Sequence, residues 1–167
     1  IPCLGIEPTA STAKASEKLG IKVQRNFFGN QLAADLVANG QQADLIIGNN
    51  VYAHVPDIND FTYGLKKLLK PSGTITLEFA YLLNLIEGNE FDTVYHEHFS
   101  YLSLHAVKTI FANVGLKIYD VEELQTHGGS LRVYGCHEEV NFEASLKVHE
   151  QLQKEKNEGL LDLITFL

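Results

Sequence analysis

The feature that most constrains the fold is an alternation between short apolar runs and longer segments of helical period. Residues 43–48 (ADLIIG) predict a continuous apolar strand that is buried on both faces of a sheet. Apolar residues recur at helical spacing over 58–69, and the next β-branched run covers 74–79. Strands that alternate with helices pair in parallel through right-handed crossovers. The pattern therefore predicts an α/β, Rossmann-like, doubly wound and mostly parallel sheet.

The rest of the chain continues this alternation. Further helices are predicted at 9–19, 31–38, 104–114 and 142–157. Gly20 ends the first of them, and the last is polar and expected to be exposed. Further strands are predicted at 3–6, 21–28 and 116–121. The run 131–135 is expected to pair with 116–121, which gives the sheet an antiparallel edge.

Composition excludes several classes of protein. The 167 residues are 45% hydrophobic and 20% charged, which suits one globular core. A net charge of −8 argues against nucleic-acid binding. The apolar runs are too short to span a membrane, and no signal peptide opens the chain, so we expect a cytoplasmic protein. Cys3 and Cys136 match neither a disulfide framework nor a metal site.

Both ends suggest that the sequence is part of a longer protein. No methionine occurs, Ile1 to Ile6 predicts a strand already under way, and 159–167 (GLLDLITFL) is an apolar run with nothing after it. None of the 13 glycines forms a GxGxxG or P-loop motif. Either the chain is no nucleotide-binding fold, or the strand and glycine loop that hold the phosphate precede Ile1. We expect an incomplete fragment.

Ligands of doubly wound sheets bind at the carboxyl ends of the strands, so residues that directly follow strands are candidates. They are Glu7, Asn26, Phe27, Phe28, Asn49, Asn50, His54, Phe79, Ala80 and Tyr81. A carboxylate such as Glu7 accepts hydrogen bonds from both hydroxyls of a ribose. It suits the amino-terminal end of a helix equally well, and spacing does not separate the two roles.

The segment 91–103 (FDTVYHEHFSYLS) is dense in groups that move protons near neutral pH. Tyr95, His96, Glu97 and His98 are consecutive, and Tyr101 follows three residues later. Such a cluster points to general acid/base catalysis, although a solvated surface loop is about as consistent with the spacing. In a flat strand Tyr95 and Glu97 would face away from His98, so a shared pocket requires the segment to turn.

Three strings resemble class I S-adenosylmethionine-dependent methyltransferases: 5–8 (GIEP), 43–50 (ADLIIGNN) and 69–73 (LKPSG). Three more narrow the resemblance, namely 53–57 (AHVPD), 95–101 (YHEHFSY) and 127–132 (HGGSLR). Together they resemble the sugar C-methyltransferases, which methylate a ring carbon next to the ketone of a nucleotide-linked 4-keto deoxysugar. The resemblance covers about residues 1–137, which it implies are the catalytic core. Residues 138–167 would begin a helical carboxyl-terminal region.

The resemblance implies a role for each candidate residue. His98 corresponds to the general base, while Tyr95, Glu97 and His54 correspond to its catalytic neighbours. The implied cofactor-binding residues are Glu7, Pro8, Phe27, Phe28, Asn49 and Asn50. The implied substrate-binding residues are Tyr81, Tyr101, His127, Ser130 and Arg132, with a tight turn at 127–129. Arg132 within a strand is equally explained by an ion pair with an acid.

The family also implies ligands and partners. The implied cofactor is S-adenosylmethionine, and the implied substrate is a nucleotide sugar. Zinc is expected only in an amino-terminal domain of the family that would precede this chain. No nucleic acid or membrane partner is expected. There are three alternatives. The chain could transfer a methyl group to oxygen or nitrogen of another small molecule, it could be a metal-dependent hydrolase using His96, His98 and His105, or it could be a non-catalytic binding module.

Overall fold

The computed structural model describes residues 1–162, except for the side chain of His127. The strands of this part are β1 (Leu4–Ile6), β2 (Lys22–Gln24), β3 (Ala43–Asn49), β4 (Leu69–Ala80), β5 (Leu116–Leu124) and β6 (Ser130–His137). The helices are α1 (Ala10–Lys18), α2 (Asn30–Ala38), α3 (Ile58–Leu68), α4 (Leu82–Glu87), α5 (Leu104–Asn113) and α6 (Leu146–Asn157). Short 3-10 turns cover Tyr52–His54, Phe91–Thr93 and Thr126–Gly128.

The strands form two hydrogen-bonded sheets. β1 and β2 pair in parallel, and the larger sheet has the order β3-β4-β6-β5. β3 and β4 are parallel, whereas β6 is antiparallel to both of its neighbours. This confirms the α/β fold and the predicted antiparallel edge, and it makes the sheet mixed. β1 and β3 both pack on α2 through the half-buried side chains of Leu4, Ile6 and Ile46.

The main core lies between the four-stranded sheet and the helices α3 and α5. Ile75, Leu77 and Phe79 of β4 are almost completely buried there. Leu65 and Phe61 of α3 pack against them because the apolar residues of this helix share one face. Burying each such side chain contributes about 1.5–3 kcal/mol, so this face fixes the direction of β4 and the loops at its carboxyl end.

β3 differs from the prediction of a strand buried on both faces. Ile46 packs on the helical side, but Leu45 and Ile47 on the other face are 53% and 63% exposed. The strand pairs with β4 along one edge, and no element within residues 1–162 packs over Leu45 and Ile47. An apolar sequence shows that both faces of a strand are suited to burial, but it does not show which other elements pack on each face.

The last helix is also less exposed than its polar sequence predicted. α6 begins at Leu146 and buries Val148, Gln151 and Glu155. The Glu155 carboxylate is fully buried and accepts hydrogen bonds from the backbone N–H of Leu104 and of His105, the latter at 2.9 Å. It therefore caps α5 from a distant part of the chain.

No helix in the described range 1–162 is long and apolar enough to cross a membrane.

Candidate active site

A cleft with a volume of about 480 Å³ opens at the carboxyl ends of β3 and β4. Its lining residues are Asn50, Ala80, Glu90, Asp92, Thr93, Tyr95, His98 and Gly128. A shallow depression of similar volume, about 510 Å³, lies on the exposed side of α6 and shares no residue with the cleft. The cleft lies at the carboxyl ends of two parallel strands and contains Tyr95 and His98 of the histidine-rich segment, so we treat it as the candidate active site.

The histidine-rich segment turns, as a shared pocket requires. The backbone N–H of His98 donates to the carbonyl of Tyr95 at 3.1 Å, which folds the chain back within four residues. The Tyr95 hydroxyl then lies 3.0 Å from Nε2 of His98, and the two ring centroids are 4.2 Å apart. The phenol and the imidazole thus form one hydrogen-bonded pair at the wall of the cleft.

The partners of His98 assign its tautomer. Nδ1 lies 2.9 Å from the backbone carbonyl of Thr93. A carbonyl only accepts hydrogen bonds, so Nδ1 carries the proton of the neutral ring and Nε2 carries the lone pair. Nε2 accepts the hydrogen bond from the Tyr95 hydroxyl. The nitrogen with basic character is therefore the one beside Tyr95.

His54 joins this pair from the 3-10 turn that follows β3. Its Nδ1 lies 2.9 Å from the backbone carbonyl of Glu97, and its ring centroid is 4.7 Å from that of His98. The N–H groups of Phe99 and Ser100 donate to the carbonyl of Ala53, at 2.9 and 3.2 Å. These bonds hold the histidine-rich segment against the turn. Glu97 contributes its carbonyl here, while its side chain is exposed.

Tyr101 closes the other side of the His98 ring. The two rings are perpendicular with centroids 5.7 Å apart, and the Tyr101 hydroxyl donates to the Thr93 carbonyl at 3.4 Å. The structure thus brings together His54, Tyr95, His98 and Tyr101. His96, one of the metal ligands of the hydrolase alternative, is exposed.

The predicted cofactor residues divide between the strand ends and the core. Glu7 follows β1, and one of its carboxylate oxygens accepts the backbone N–H of Thr9 at 2.7 Å. Asn50 follows β3 with a left-handed φ of 53° and lines the cleft. A carboxylate and carboxamides at strand ends fit the hydroxyls of an adenosyl ribose. Phe28 instead packs edge-on against Phe61, at 5.1 Å between ring centroids, and belongs to the core.

The other members of that set lie at the surface. Phe27 is 85% exposed, and Pro8 and Asn49 are also exposed. Asn49 is the last residue of β3 and pairs with Glu78 of β4.

Two predicted substrate residues have their polar groups bonded inside the protein. Tyr81 is fully buried and donates to the Glu155 carboxylate at 2.8 Å. Burial and then the negative charge of Glu155 raise the pKa of Tyr81 well above its usual range. Ser130 is buried and donates to the carbonyl of Thr126 at 3.1 Å. Neither side chain reaches the cleft in this structure.

Arg132 takes the ion-pair role that was its alternative. It binds Glu78 of β4 at 2.9 Å and Glu122 of β5 at 3.2 Å. The hydrogen bond to Glu78 raises the pKa of Arg132 above its usual range. Because Arg132 lies between these two strands, the bridge ties β4, β6 and β5 together.

The predicted turn at 127–129 is present, although the side chain of His127 is outside the described part. Gly128 and Gly129 have φ values of 76° and 123°, which other residues rarely adopt. A Cβ on Gly128 would lie 2.3 Å from the Glu90 carboxylate oxygens. The absence of a side chain there lets Glu90 approach the wall of the cleft.

Sequence reasoning missed Glu90, Asp92 and Thr93 as lining residues. Asp92 and Thr93 lie within the segment we singled out, and their neighbours Tyr95 and His98 were the signal that could have found them. Glu90 gives no comparable signal, because its place depends on contact with Gly128. Within the described residues, no three or more His, Cys, Asp or Glu side chains are grouped as metal ligands.

Known proteins that are similar in sequence to this chain are methyltransferases. Residues 2–121 match a family described as a methyltransferase domain. Over 157 residues the chain is 32% identical to the C-methyltransferase NovU of Streptomyces niveus, a match that covers 94% of this chain and 37% of NovU. The chain therefore spans just over a third of the length of that relative.

Solved methyltransferases share the fold. An S-adenosylmethionine-dependent methyltransferase of Thermotoga maritima has a TM-score of 0.59 at 14% identity, over 81% of this chain and 72% of that one. The magnesium protoporphyrin IX methyltransferase of Synechocystis, solved with bound S-adenosylhomocysteine, has a TM-score of 0.55 at 15% identity. That match covers 80% of this chain and 63% of the other.

Proposed function

The chain belongs to the methyltransferase domain family that uses S-adenosylmethionine, and on that premise we propose that it methylates carbon. The proposed acceptor is the carbon next to the ketone of a nucleotide-activated deoxysugar. The C-methyltransferase name of its 32% identical relative supports transfer to carbon. The substrate class follows from the resemblance of the histidine-rich segment and its neighbouring strings.

The observation that carries the proposal is the 2.9 Å contact between Nδ1 of His98 and the carbonyl of Thr93, from which the tautomer of His98 is inferred. An oxygen or nitrogen acceptor already has a lone pair, whereas a carbon acceptor must first lose a proton to a base. His98 presents Nε2 as an acceptor at the cleft, because Nδ1 donates to the Thr93 carbonyl. A neutral imidazole is a usable base near neutral pH.

The side chains account for the proton and the developing charge. Nε2 of His98 removes the proton on the carbon next to the ketone, and the electron pair moves onto the ketone oxygen as an enolate. The Tyr95 hydroxyl, 3.0 Å from Nε2, must release that nitrogen before the nitrogen takes the proton, and it is then the donor available to the ketone oxygen as negative charge develops there. When bound, S-adenosylmethionine would supply an electrophilic methyl group: the enolate carbon forms the new carbon–carbon bond as the methyl–sulfur bond breaks, and S-adenosylhomocysteine is released. Glu7 and Asn50 are the residues proposed to hold its adenosyl part.

The charges of the cleft fit the sugar better than the diphosphate. Glu90 and Asp92 line it, and no lysine or arginine is among its described lining residues. Carboxylates accept hydrogen bonds from sugar hydroxyls and repel phosphate. We therefore place the sugar ring in the cleft and the diphosphate outside it.

The test uses the full-length protein with S-adenosylmethionine and a nucleotide-linked 4-keto deoxysugar in deuterated water. We expect a new carbon–carbon bond next to the ketone, located by NMR, and deuterium exchange at that carbon when the cofactor is replaced by S-adenosylhomocysteine. A product methylated on oxygen or nitrogen would contradict the proposal. Absence of S-adenosylhomocysteine binding in calorimetry would instead favour the non-catalytic alternative.

A further inference from the structure

We propose that Thr93 is a positioning residue that decides which nitrogen of His98 faces the cleft as the base. Its catalytic meaning rests on the proposed function, but its effect on the imidazole does not. Thr93 acts through two groups, a backbone carbonyl that binds the ring and a hydroxyl that holds this carbonyl in place.

The carbonyl of Thr93 selects the tautomer. It lies 2.9 Å from Nδ1 of His98 and also accepts the Tyr101 hydroxyl at 3.4 Å. With a proton fixed on Nδ1, the neutral ring has its lone pair on Nε2. In the opposite tautomer, Nε2 would be a donor and unable to take a proton from a substrate. The position of the Thr93 carbonyl oxygen thus determines whether Nε2 of His98 can act as a base.

The hydroxyl of Thr93 fixes the turn that carries this carbonyl. Its Oγ1 donates to the carbonyl of Glu90 at 2.7 Å, whereas the backbone N–H of Thr93 reaches the same oxygen only at 3.3 Å. None of the residues of the turn Phe91–Thr93 is buried, so core packing does little to hold it. The hydroxyl bond is therefore its strongest described local constraint.

Protonation preserves the arrangement. When Nε2 takes a proton, Nδ1–H stays bonded to the Thr93 carbonyl, which stabilises the positive ring and keeps the Nε2–H directed at the cleft. A backbone carbonyl here does what a carboxylate does behind many catalytic histidines. Loss of the turn would let the ring rotate or exchange tautomers before substrate binds.

The test measures the tautomer of His98 by nitrogen NMR of isotope-labelled histidine in the full-length protein, at a pH where the ring is neutral. The His98 signals are identified by their loss in His98→Asn. We expect the wild type to carry its proton on Nδ1, Thr93→Val to give a mixture, and Thr93→Ser to restore the wild-type signal. Thr109→Val is the matched control, because its hydroxyl also donates to a carbonyl, that of His105 at 2.9 Å, on the exposed face of α5.

Turnover should follow the tautomer. Thr93→Val is expected to lose about 10-fold in kcat, less than the roughly 10²–10⁴-fold loss on removing a general base. Thr93→Ser and Thr109→Val should stay near wild type. If Thr93→Val does not fold, as judged by circular dichroism beside Thr109→Val, Thr93→Ala removes the hydroxyl in its place.

Two results would overturn the proposal: a wild-type proton on Nε2, or a folded hydroxyl-deleted variant with an unchanged tautomer. The NMR readout needs no substrate. A tautomer that shifts as expected in a protein that does not methylate the sugar would leave the positioning role standing and remove only the proposed function.

Discussion

At the scale of single residues, His98 carries the main prediction. His98→Asn should lower turnover by ~10²–10⁴-fold while S-adenosylmethionine binding survives, because the ring is the base and Glu7 lies on a different strand end. Steady-state kinetics and calorimetry measure the two effects. His96→Asn is the matched control, as an exposed histidine of the same segment. Wild-type turnover in the His98 variant would place the base elsewhere, and His54 would be examined first.

Glu7 gives a prediction about the cofactor alone. If its carboxylate holds the ribose hydroxyls, Glu7→Ala should weaken S-adenosylmethionine binding by about 1.5–3 kcal/mol, as for hydrogen bonds to a charged group. The affinity for sugar nucleotide should hardly change. Glu17→Ala on α1 is the control, since its surface pair with Arg25 contributes little.

Titration calorimetry separates the outcomes for Glu7. The variant also loses the bond to the Thr9 N–H, so its thermal unfolding is measured in parallel. Equal loss of both ligands would indicate misfolding, and no loss of either would contradict the assignment.

The sequence predicted the residues of the candidate site better than their partners. Tyr95 and His98 are close in sequence, so one turn was enough to make them meet. Tyr81 follows a strand like the other candidates, but its direction depends on Glu155, which lies 74 positions away. The Thr93 carbonyl has no side-chain signature at all, because every residue has a carbonyl group. Long-range packing and backbone contacts are what spacing does not encode.

At the scale of elements, Glu155 gives a test of how α6 is attached. Glu155→Ala should lower the free energy of unfolding by roughly 3 kcal/mol or more, since it leaves three donors unsatisfied and each costs about 1–3 kcal/mol. The donors are the N–H groups of Leu104 and His105 and the hydroxyl of Tyr81. Denaturant unfolding measures the change.

Two further variants interpret that result. Glu150→Ala removes an exposed acid of the same helix and should be nearly neutral. Glu155→Gln keeps one acceptor oxygen and should fall between the two. A Glu155→Ala protein as stable as Glu150→Ala would mean that the cap contributes nothing.

The bounds of helices with a clear sequence pattern were predicted well, whereas the bounds of elements that depend on pairing or packing with distant parts of the chain were not. α1 and α2 lie within one residue of their predicted bounds, because alanine-rich helices ended by Gly20 or Asn39-Gly40 need little context. β5 runs on to Leu124 since β6 pairs along its full length, which local sequence does not show. The short helix α4 was missed, as its six residues are too few for a period.

At the scale of the whole molecule, the open side of β3 predicts weak stability. β3 and β1 each have one edge without a strand partner in the described residues, and Leu45 and Ile47 of β3 are exposed. Unpaired edges and apolar faces favour association. Residues 1–167 alone should therefore unfold at low temperature or self-associate, and should bind cofactor weakly.

The comparison is with a version extended upstream by about 30 residues, the size of one strand–helix unit. Thermal unfolding, light scattering and calorimetry with S-adenosylhomocysteine report stability, association and affinity. The longer version should unfold at a higher temperature, associate less and bind S-adenosylhomocysteine more tightly. Equal values for the two would show that the open edge and the exposed face of β3 carry no cost.

The bond between Tyr81 and Glu155 also limits how this molecule can be divided. Tyr81 comes directly after the strand end that lines the cleft, and Glu155 lies near the end of α6. A chain cut after His137 would keep every proposed catalytic residue yet remove the acceptor of α5 and of Tyr81. Any exchange of modules with related enzymes must therefore carry α6 along with the cleft, and place its junction beyond Asn157.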